Sequence, residues 1–265
     1  MIRRETGPDG VDVAGPPDAQ PIVFVHGAGF SRKMWGPQRD ALSDEFRVIA
    51  PDLPGHGTRA DERFEFEPAV ELLERVFESY TDGSAVLVGL SLGGYVSTAY
   101  AQRYPDEVDG LVISGSSANP VGGMELATRV TSGVTRLVTR SDRVERGAER
   151  LAKRWVRTRG LEDDLEREIV DAGIYPRQFG IAGPHLAGRD FRAAFAAYPG
   201  PSLILNGEKD LVMRRGEKRH AAAARNAEIK VIGGAGHTCN LHRPEVYTDT
   251  VRMFARQAIA ERPRR

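Results

Sequence analysis

The sequence predicts an α/β fold in which a mainly parallel sheet is flanked by helices, with a helical cap inserted between two strands. Three observations lead to this prediction. Short apolar runs, typical of strands buried on both faces, alternate with segments of helical periodicity. Residues 119–199 interrupt that alternation with helical spacing alone. The length of 265 residues is sufficient for one such domain with an insertion.

The N-terminal region predicts a hairpin and two buried strands. Residues 2–5 and 11–14 flank the turn formers Gly7-Pro8-Asp9-Gly10, which is typical of a hairpin. The apolar run at 22–25 predicts a buried strand, and residues 47–50 predict a second one. Both runs end in loops that are rich in turn-forming residues.

The following elements continue the alternation of helices and strands. Apolar spacing predicts a helix over 67–80, and residues 85–88 predict a strand that leads through 89–94 into a helix ending before Pro105. The later elements are a strand at Val108–Ser114, a strand at 202–206, a helix at about 214–224, a strand at 228–232 and a final helix that starts at Pro244.

Residues 119–199 predict a helical cap. Apolar residues recur there at helical spacing in four groups: Leu126, Val130, Val134, Leu137 and Val138; Val144, Ala148, Leu151 and Trp155; Leu165, Ile169 and Ala172; and Phe191, Ala194, Phe195 and Tyr198. We therefore expect a core domain made of residues 1–118 and 200–265. The cap is expected to lie over the C-terminal edge of the sheet, where open α/β sheets bind ligands.

Composition restricts the classes of partner. The chain has 37 Lys and Arg residues and 37 Asp and Glu residues, so its overall charge does not favour nucleic acid or a membrane as partner. No signal-like or membrane-spanning run occurs, and Cys239 is the only cysteine, which excludes an internal disulfide and a cysteine-based metal cluster. We expect a cytoplasmic monomer or homodimer that acts on a small molecule without a cofactor or metal.

Ser91 lies between a predicted buried strand and a predicted helix, with Gly89 and Gly93 two positions to either side. This is the pattern of a nucleophile elbow, a strained turn in which neighbouring segments pass too close for side chains at the glycines. The helix start directs free N–H groups and the positive end of its dipole towards the serine. This short pattern can also arise by chance, so the assignment of Ser91 as a nucleophile requires a histidine and a carboxylate further along the chain.

His237 is the best candidate for the base that a nucleophilic serine requires. It lies in the glycine-rich loop 233–241, directly after the last predicted strand. The other histidines fit less well: His26 and His56 lie in turns before the elbow, His185 lies in the cap, His220 lies in a polar helix and His242 is five residues further on.

Asp210 is the candidate for the carboxylate that orients this histidine, with Glu208 as the second choice. Asp210 follows the strand at 202–206 and is therefore expected at the same sheet edge as Ser91. A single histidine or aspartate after a strand is more often structural. The order Ser, Asp, His, each just past a strand, favours catalysis.

The chain resembles the α/β-hydrolase superfamily, in its capped serine-hydrolase branch of carboxylesterases and lactonases, over about residues 22–258. The matching pieces are His26-Gly27, Asp52-Leu53-Pro54-Gly55-His56-Gly57, the elbow at 89–94, Gly207 with Asp210, and Gly236-His237 followed by Pro244-Glu245. The resemblance implies an ester hydrolase in which Ser91 is the nucleophile, His237 the base and Asp210 the orienting acid. It also implies an oxyanion hole made by the backbone N–H groups of Ala28 and Leu92.

The same resemblance implies that Gly29 and Phe30 line the pocket. Related haloalkane dehalogenases and epoxide hydrolases use an aspartate nucleophile, so Ser91 argues against both. Four further side chains either line an acyl pocket or belong to the core; they are Trp35, Met124, Trp155 and Phe179. We interpret Cys239 as a small packing residue.

The cap has an uneven charge distribution. Residues 129–159 carry ten basic and three acidic residues, whereas 161–171 are mainly acidic. The basic stretch either recognises an anionic substrate or is a solvated face that the acidic stretch neutralises.

Three functions remain open. The first is hydrolysis of a carboxylic ester, lactone or thioester. The second is a carbon–carbon bond hydrolase or a lyase of the same fold acting on an anionic substrate, such as the succinyl-hydroxycyclohexadiene carboxylate synthase of menaquinone synthesis. The third is a non-catalytic sensor of a small ligand. An intact set of Ser91, His237 and Asp210 weighs against the sensor.

Overall fold

The computed structural model of the protein describes residues 4–7 and 10–261, with side chains from residue 10 onward. Residues 2–3 and 8–9 of the expected hairpin lie outside the described residues. The described strands are β1 (Arg4–Gly7), β2 (Val11–Ala14), β3 (Pro21–Val25), β4 (Arg47–Pro51), β5 (Ala85–Leu90), β6 (Val108–Ser114), β7 (Ser202–Gly207) and β8 (Ala227–Ile232).

These strands form one sheet in the order β1-β2-β4-β3-β5-β6-β7-β8. β1 pairs antiparallel with β2, and β2 pairs antiparallel with β4. All pairs from β4 through β8 are parallel. The carboxyl ends of β3 to β8 therefore meet at one edge, where side chains that follow different strands come together. The prediction of a mainly parallel sheet is confirmed.

Helices connect the strands. In the described ranges they are α1 (Gly36–Leu42), α2 (Phe66–Tyr80), α3 (Leu92–Arg103), α4 (Gly123–Val138), α5 (Asp142–Arg157), α6 (Asp163–Asp171), α7 (Arg177–Leu186), α8 (Phe191–Ala197), α9 (Leu211–Ala223), α10 (Cys239–His242) and α11 (Pro244–Glu261). The five helices α4 to α8 lie between β6 and β7; we call residues 119–199 the helical insertion. Within the described ranges, none of these helices has the length and apolar character needed to cross a membrane.

The central strands are buried on both faces, which explains their continuous apolar sequences. In β3, Val23 and Val25 belong to the core that packs against α2 and α3, whereas Ile22 and Phe24 belong to the core on the opposite face. Tyr247 of α11 is fully buried in that second core. The sheet is thus covered by helices on both sides, as its sequence pattern predicts.

Helices α9 and α7 differ from expectation, one in its start and the other in its presence. α9 starts at Leu211 rather than near 214, because the Asp210 side chain accepts a hydrogen bond from the Met213 N–H at 3.5 Å and acts as its N-cap. The helix α7 was not predicted. It contains Gly180, Gly183 and Pro184, which normally disfavour a helix.

Candidate active site

Ser91 occupies the sharp turn between β5 and α3. Its backbone has φ 53° and ψ −117°, and it is the one non-glycine residue with a positive φ in the described part of the chain. The Ser91 N–H donates to the Ser114 carbonyl at 2.7 Å, and the Ser91 carbonyl accepts from the Gly94 N–H at 3.0 Å. Strain of this kind costs about 1–3 kcal/mol and persists only where the surrounding structure enforces it.

The glycines beside Ser91 permit a close approach between chain segments. A Cβ atom on Gly93 would lie 2.1 Å from the Val25 carbonyl oxygen at the end of β3. A Cβ atom on Gly89 would lie 2.4 Å from the carbonyl oxygen of Gly93. Both neighbours are backbone atoms, which cannot move aside as a flexible side chain can. The two glycines therefore allow α3 to start directly against the sheet.

The structure brings Ser91, His237 and Asp210 together at the carboxyl edge of the sheet. The Nε2 atom of His237 lies 2.9 Å from Ser91 Oγ, and its Nδ1 atom lies 2.6 Å from Asp210 Oδ2. A carboxylate only accepts hydrogen bonds, so Nδ1 carries the proton and donates to Asp210. Nε2 then presents its lone pair to the Ser91 hydroxyl, which is the protonation state that a general base requires.

Close backbone packing positions His237 and Asp210. A Cβ atom on Gly207 would lie 2.2 Å from the Gly236 carbonyl oxygen, so the end of β7 touches the loop that carries His237. The Asp210 side chain is buried. Glu208, the second-choice acid, instead accepts a hydrogen bond from the Gly234 N–H at 2.8 Å. The geometry therefore favours Asp210 over Glu208 as the partner of His237.

The loop after β3 lies against Ser91. A Cβ atom on Gly27 would lie 3.2 Å from Ser91 Cβ. The Gly29 N–H donates to His56 Nε2 at 3.3 Å, and the Phe30 N–H donates to the Gly27 carbonyl at 3.4 Å. Within residues 10–261, no hydrogen-bond acceptor is found for the N–H groups of Ala28 and Leu92. These two amides are thus available to a developing oxyanion, whereas those of Gly29 and Phe30 are engaged.

Two buried histidines, which were expected in turns before the elbow, hold this loop. His26 Nδ1 donates to the Gly27 carbonyl at 2.9 Å, and its Nε2 accepts from the Leu53 N–H at 2.9 Å. His56 Nδ1 donates to the Pro54 carbonyl at 3.0 Å, while its Nε2 accepts from Gly29. The two rings meet edge to face at 4.9 Å. The sequence feature that could have predicted this role is that both histidines lie next to a glycine in a turn that follows a strand.

Burial lowers the pKa of His26, and burial together with the nearby His26 lowers the pKa of His56 to about 3. The pKa of His56 in the folded state is thus below the value of about 6.5 expected in the unfolded state. As the pH falls below 6.5, the unfolded state takes up a proton first. The stability that neutral His56 contributes above pH 6.5 is therefore lost as the pH falls towards 3.

We expect the free energy of unfolding to fall with pH by about 1.4 kcal/mol per unit for this one group, between about pH 6 and pH 4. Urea denaturation at several pH values measures this slope. The variant His56→Asn is expected to be less stable at neutral pH. Its free energy of unfolding should fall less steeply with pH, by about 1.4 kcal/mol per unit, because one fewer proton is taken up on unfolding. An identical slope in the variant and the wild type would contradict the role assigned to His56.

The expected pocket residues occupy different environments. The rings of Trp155 and Phe30 lie 6.5 Å apart, edge to face. A Cβ atom on Gly29 would lie 2.6 Å from the ring of Phe179, which is 48% exposed. Phe30, Trp155 and Phe179 thus border the loop that contains Ala28. Met124 is half-exposed and lines a separate surface cavity of about 420 Å³ next to α9.

Trp35 does not fit the expectation that it contacts substrate. Its side chain is fully buried in the core, with ring centroids 4.9 Å from Phe24 and 5.9 Å from Tyr247. A side chain enclosed in this way cannot reach a ligand without disruption of the core, so we correct this prediction and assign Trp35 to packing.

Cys239 is also fully buried, and burial raises the pKa of its thiol to about 12. A thiol with so high a pKa is unreactive near neutral pH, because the thiolate is the nucleophilic form. In the described ranges, no group of three or more His, Cys, Asp or Glu side chains is arranged to hold a metal ion.

A serine at a strained strand-to-helix turn, with a histidine and an aspartate at the same edge of a parallel sheet, defines an α/β hydrolase. The model of the alpha/beta hydrolase family matches residues 22–250, and the chain belongs to this family. The expected resemblance is confirmed.

Individual relatives are also similar. A pimeloyl-[acyl-carrier protein] methyl ester esterase of Cronobacter sakazakii is 30% identical to this chain, and the match covers 87% of this chain and 90% of that protein. The biotin biosynthesis bifunctional protein BioHC of Teredinibacter turnerae is 27% identical over 94% of this chain, which spans 47% of that longer protein, or about half. Among solved structures, an esterase from Thermogutta terrifontis has a TM-score of 0.70 and 25% identity, and covers 97% of this chain and 99% of that one.

Proposed function

We propose that this protein is a serine hydrolase that cleaves carboxylic esters through an acyl-enzyme intermediate. The observation that carries the proposal is the hydrogen-bonded series of Ser91 Oγ, His237 and Asp210, with distances of 2.9 Å and 2.6 Å. The names of two relatives support the same class of reaction, because the similar proteins from Cronobacter sakazakii and Thermogutta terrifontis are named esterases.

In the first half of the reaction, His237 Nε2 takes the proton from Ser91 as Oγ attacks the ester carbonyl carbon. The carbonyl oxygen becomes an oxyanion that accepts hydrogen bonds from the N–H groups of Ala28 and Leu92. Asp210 keeps the proton of His237 on Nδ1 and stabilises the imidazolium that forms. The imidazolium then gives its Nε2 proton to the leaving alcohol, which departs and leaves the acyl group on Ser91.

In the second half, water replaces the alcohol. His237 Nε2 removes a proton from a water molecule, and the oxygen of that water attacks the acyl carbon. The tetrahedral intermediate again places its oxyanion at Ala28 and Leu92. When the intermediate collapses, the bond to Ser91 Oγ breaks and Oγ takes the proton back from His237. The products are the free acid and the restored enzyme.

A fluorophosphonate probe and a panel of p-nitrophenyl esters test this proposal together. We expect the probe to attach to Ser91 and the short esters to be hydrolysed with release of p-nitrophenol. A reactive serine with no turnover of any ester in the panel would favour a carbon–carbon bond hydrolase or lyase of the same fold. A folded protein with neither labelling nor turnover would favour a ligand sensor.

A further inference from the structure

The helix α4 carries an apolar face that is not covered by any other part of the described chain. Leu126, Val130, Val134 and Leu137 recur along it at helical spacing, and each is between 56% and 69% exposed. The opposite face of α4 packs against α7, and Ser132 is the one residue of α4 that is buried. Exposed apolar surface of this extent in a monomer usually marks an interaction site.

The next helix, α5, adds a second apolar row. Val144, Ala148, Leu151 and Trp155 follow one another at helical spacing, and Leu151 is 70% exposed. At the far end of this row, Trp155 contacts the ring of Phe30, in the loop that borders Ser91. The apolar row of α5 therefore runs from the exposed surface to the candidate active site.

Arginines accompany these apolar rows. Six exposed arginines of the segment form no ion pair with an acidic side chain in the described part of the chain; they are Arg136, Arg140, Arg143, Arg146, Arg150 and Arg154. The acidic helix α6 provides one ion pair with α5, between Arg157 and Glu166 at 3.5 Å. The acidic stretch therefore leaves most of the basic charge without a partner.

Two of these arginines line a surface cavity of about 670 Å³ at the end of α4. Arg136 and Arg140 share its wall with Arg63 and Arg177. Arg177 pairs with Glu145 and with Asp142, which also lines the cavity, whereas Arg136 and Arg140 retain uncompensated charge. Ile181, Pro184 and His185 of α7 also line this cavity, so it lies on the side of α4 opposite the apolar row, and its arginines are not part of the surface that carries that row.

We propose that this surface, which we call the α4–α5 face, docks on an anionic lipid surface. It consists of Leu126, Val130, Val134, Leu137, Val144 and Leu151 together with the four exposed arginines of α5, which are Arg143, Arg146, Arg150 and Arg154. Helices with an apolar row beside basic residues lie in the plane of the headgroup layer, where the apolar side chains enter the acyl boundary and the arginines bind phosphates. A second copy is disfavoured as the occupant, because its own arginines would face those of the first.

The test measures co-sedimentation with phosphatidylcholine vesicles that contain or lack phosphatidylglycerol. We expect the protein to bind the vesicles that contain phosphatidylglycerol and to release them at high salt. The triple variant Leu126→Gln/Val130→Gln/Val134→Gln should bind at least about 10-fold more weakly. The triple variant Arg143→Gln/Arg150→Gln/Arg154→Gln should bind about 100-fold more weakly. All six substituted side chains are exposed, so both variants should fold normally.

The matched control is Val246→Gln/Met253→Gln, which alters two exposed apolar residues of α11 outside the face. It should bind as the wild type does, and so should Ser91→Ala, because docking does not depend on turnover. The proposal would be overturned if the wild type showed no preference for vesicles with phosphatidylglycerol. It would also be overturned if the control variant lost as much vesicle binding as the apolar triple variant. If the wild type did not bind vesicles but formed a dimer, and the apolar triple variant were monomeric, the face would be a contact between two copies of the chain. If the protein bound soluble polyglutamate as tightly as it binds the vesicles, and the apolar triple variant bound polyglutamate equally well, the partner would be an acidic protein.

Discussion

The variant Ser91→Ala is expected to lower kcat/KM for a p-nitrophenyl ester by at least about 10⁴-fold, because it removes the oxygen that we propose as the nucleophile. The hydroxyl hydrogen-bonds to His237 Nε2 at 2.9 Å, and alanine leaves the backbone of the turn unchanged. The thermal midpoint should therefore stay close to that of the wild type. Initial-rate kinetics and thermal denaturation measure the two quantities.

Ser97 offers a matched control on the same helix. Its hydroxyl is buried and has no hydrogen-bond partner within residues 10–261, so Ser97→Ala removes an oxygen without breaking a hydrogen bond. We expect wild-type turnover in this variant. Comparable turnover in Ser91→Ala and Ser97→Ala would refute the assignment of Ser91 as nucleophile.

The second large effect is expected for Asp210→Asn, with a loss of about 10⁴-fold in kcat. An amide at this position no longer forces the proton of His237 onto Nδ1, so Nε2 ceases to be a reliable acceptor for the Ser91 proton. Asparagine is as good an N-cap as aspartate, so α9 should keep its start at Leu211. Ester hydrolysis and circular dichroism separate the catalytic loss from a structural one.

The control for this variant is Glu208→Gln, the alternative acid in the same loop. Its carboxylate accepts from Gly234 rather than from His237, so the substitution should reduce kcat only slightly. If Glu208→Gln were the more damaging of the two, the orienting role would pass to Glu208.

The sheet and the positions of the site residues along it can be predicted from sequence for a simple physical reason. Parallel strands covered on both faces are continuous apolar runs, as in β5 and β6, and their lengths were predicted to within one or two residues. The order of Ser91, Asp210 and His237 after such runs places them at one edge. The distances between their atoms depend on backbone contacts such as that of Gly207 with Gly236, which sequence does not give.

The helix α7 shows why part of the insertion could not be predicted. Gly180 and Gly183 disfavour a helix locally, but they let α7 approach α4 closely. A Cβ atom on Gly180 would lie 2.6 Å from the Arg136 backbone nitrogen, and one on Gly183 would lie 1.7 Å from Ser132 Oγ. Tertiary packing thus outweighs local propensity there.

Periodicity likewise identifies an apolar face without showing what covers it. The spacing of Leu126, Val130 and Val134 is the same as that of a core-facing helix, yet these side chains are exposed. The overall charge is equally uninformative. A sum of zero over the chain conceals the local excess of ten basic over three acidic residues in 129–159, so the net charge does not describe a local patch.

The arrangement of the site also bears on how the chain reaches its native state. Ser91 and His237 are 146 residues apart in sequence, and the strands that precede them, β5 and β8, are joined through the parallel pairs β5–β6, β6–β7 and β7–β8. Parallel pairing closes long loops, and such long-range contacts form slowly in folding. No short fragment of the chain contains both ends of the proton-transfer path. Recovery of esterase activity on refolding is therefore expected to follow the assembly of the part of the sheet from β5 to β8.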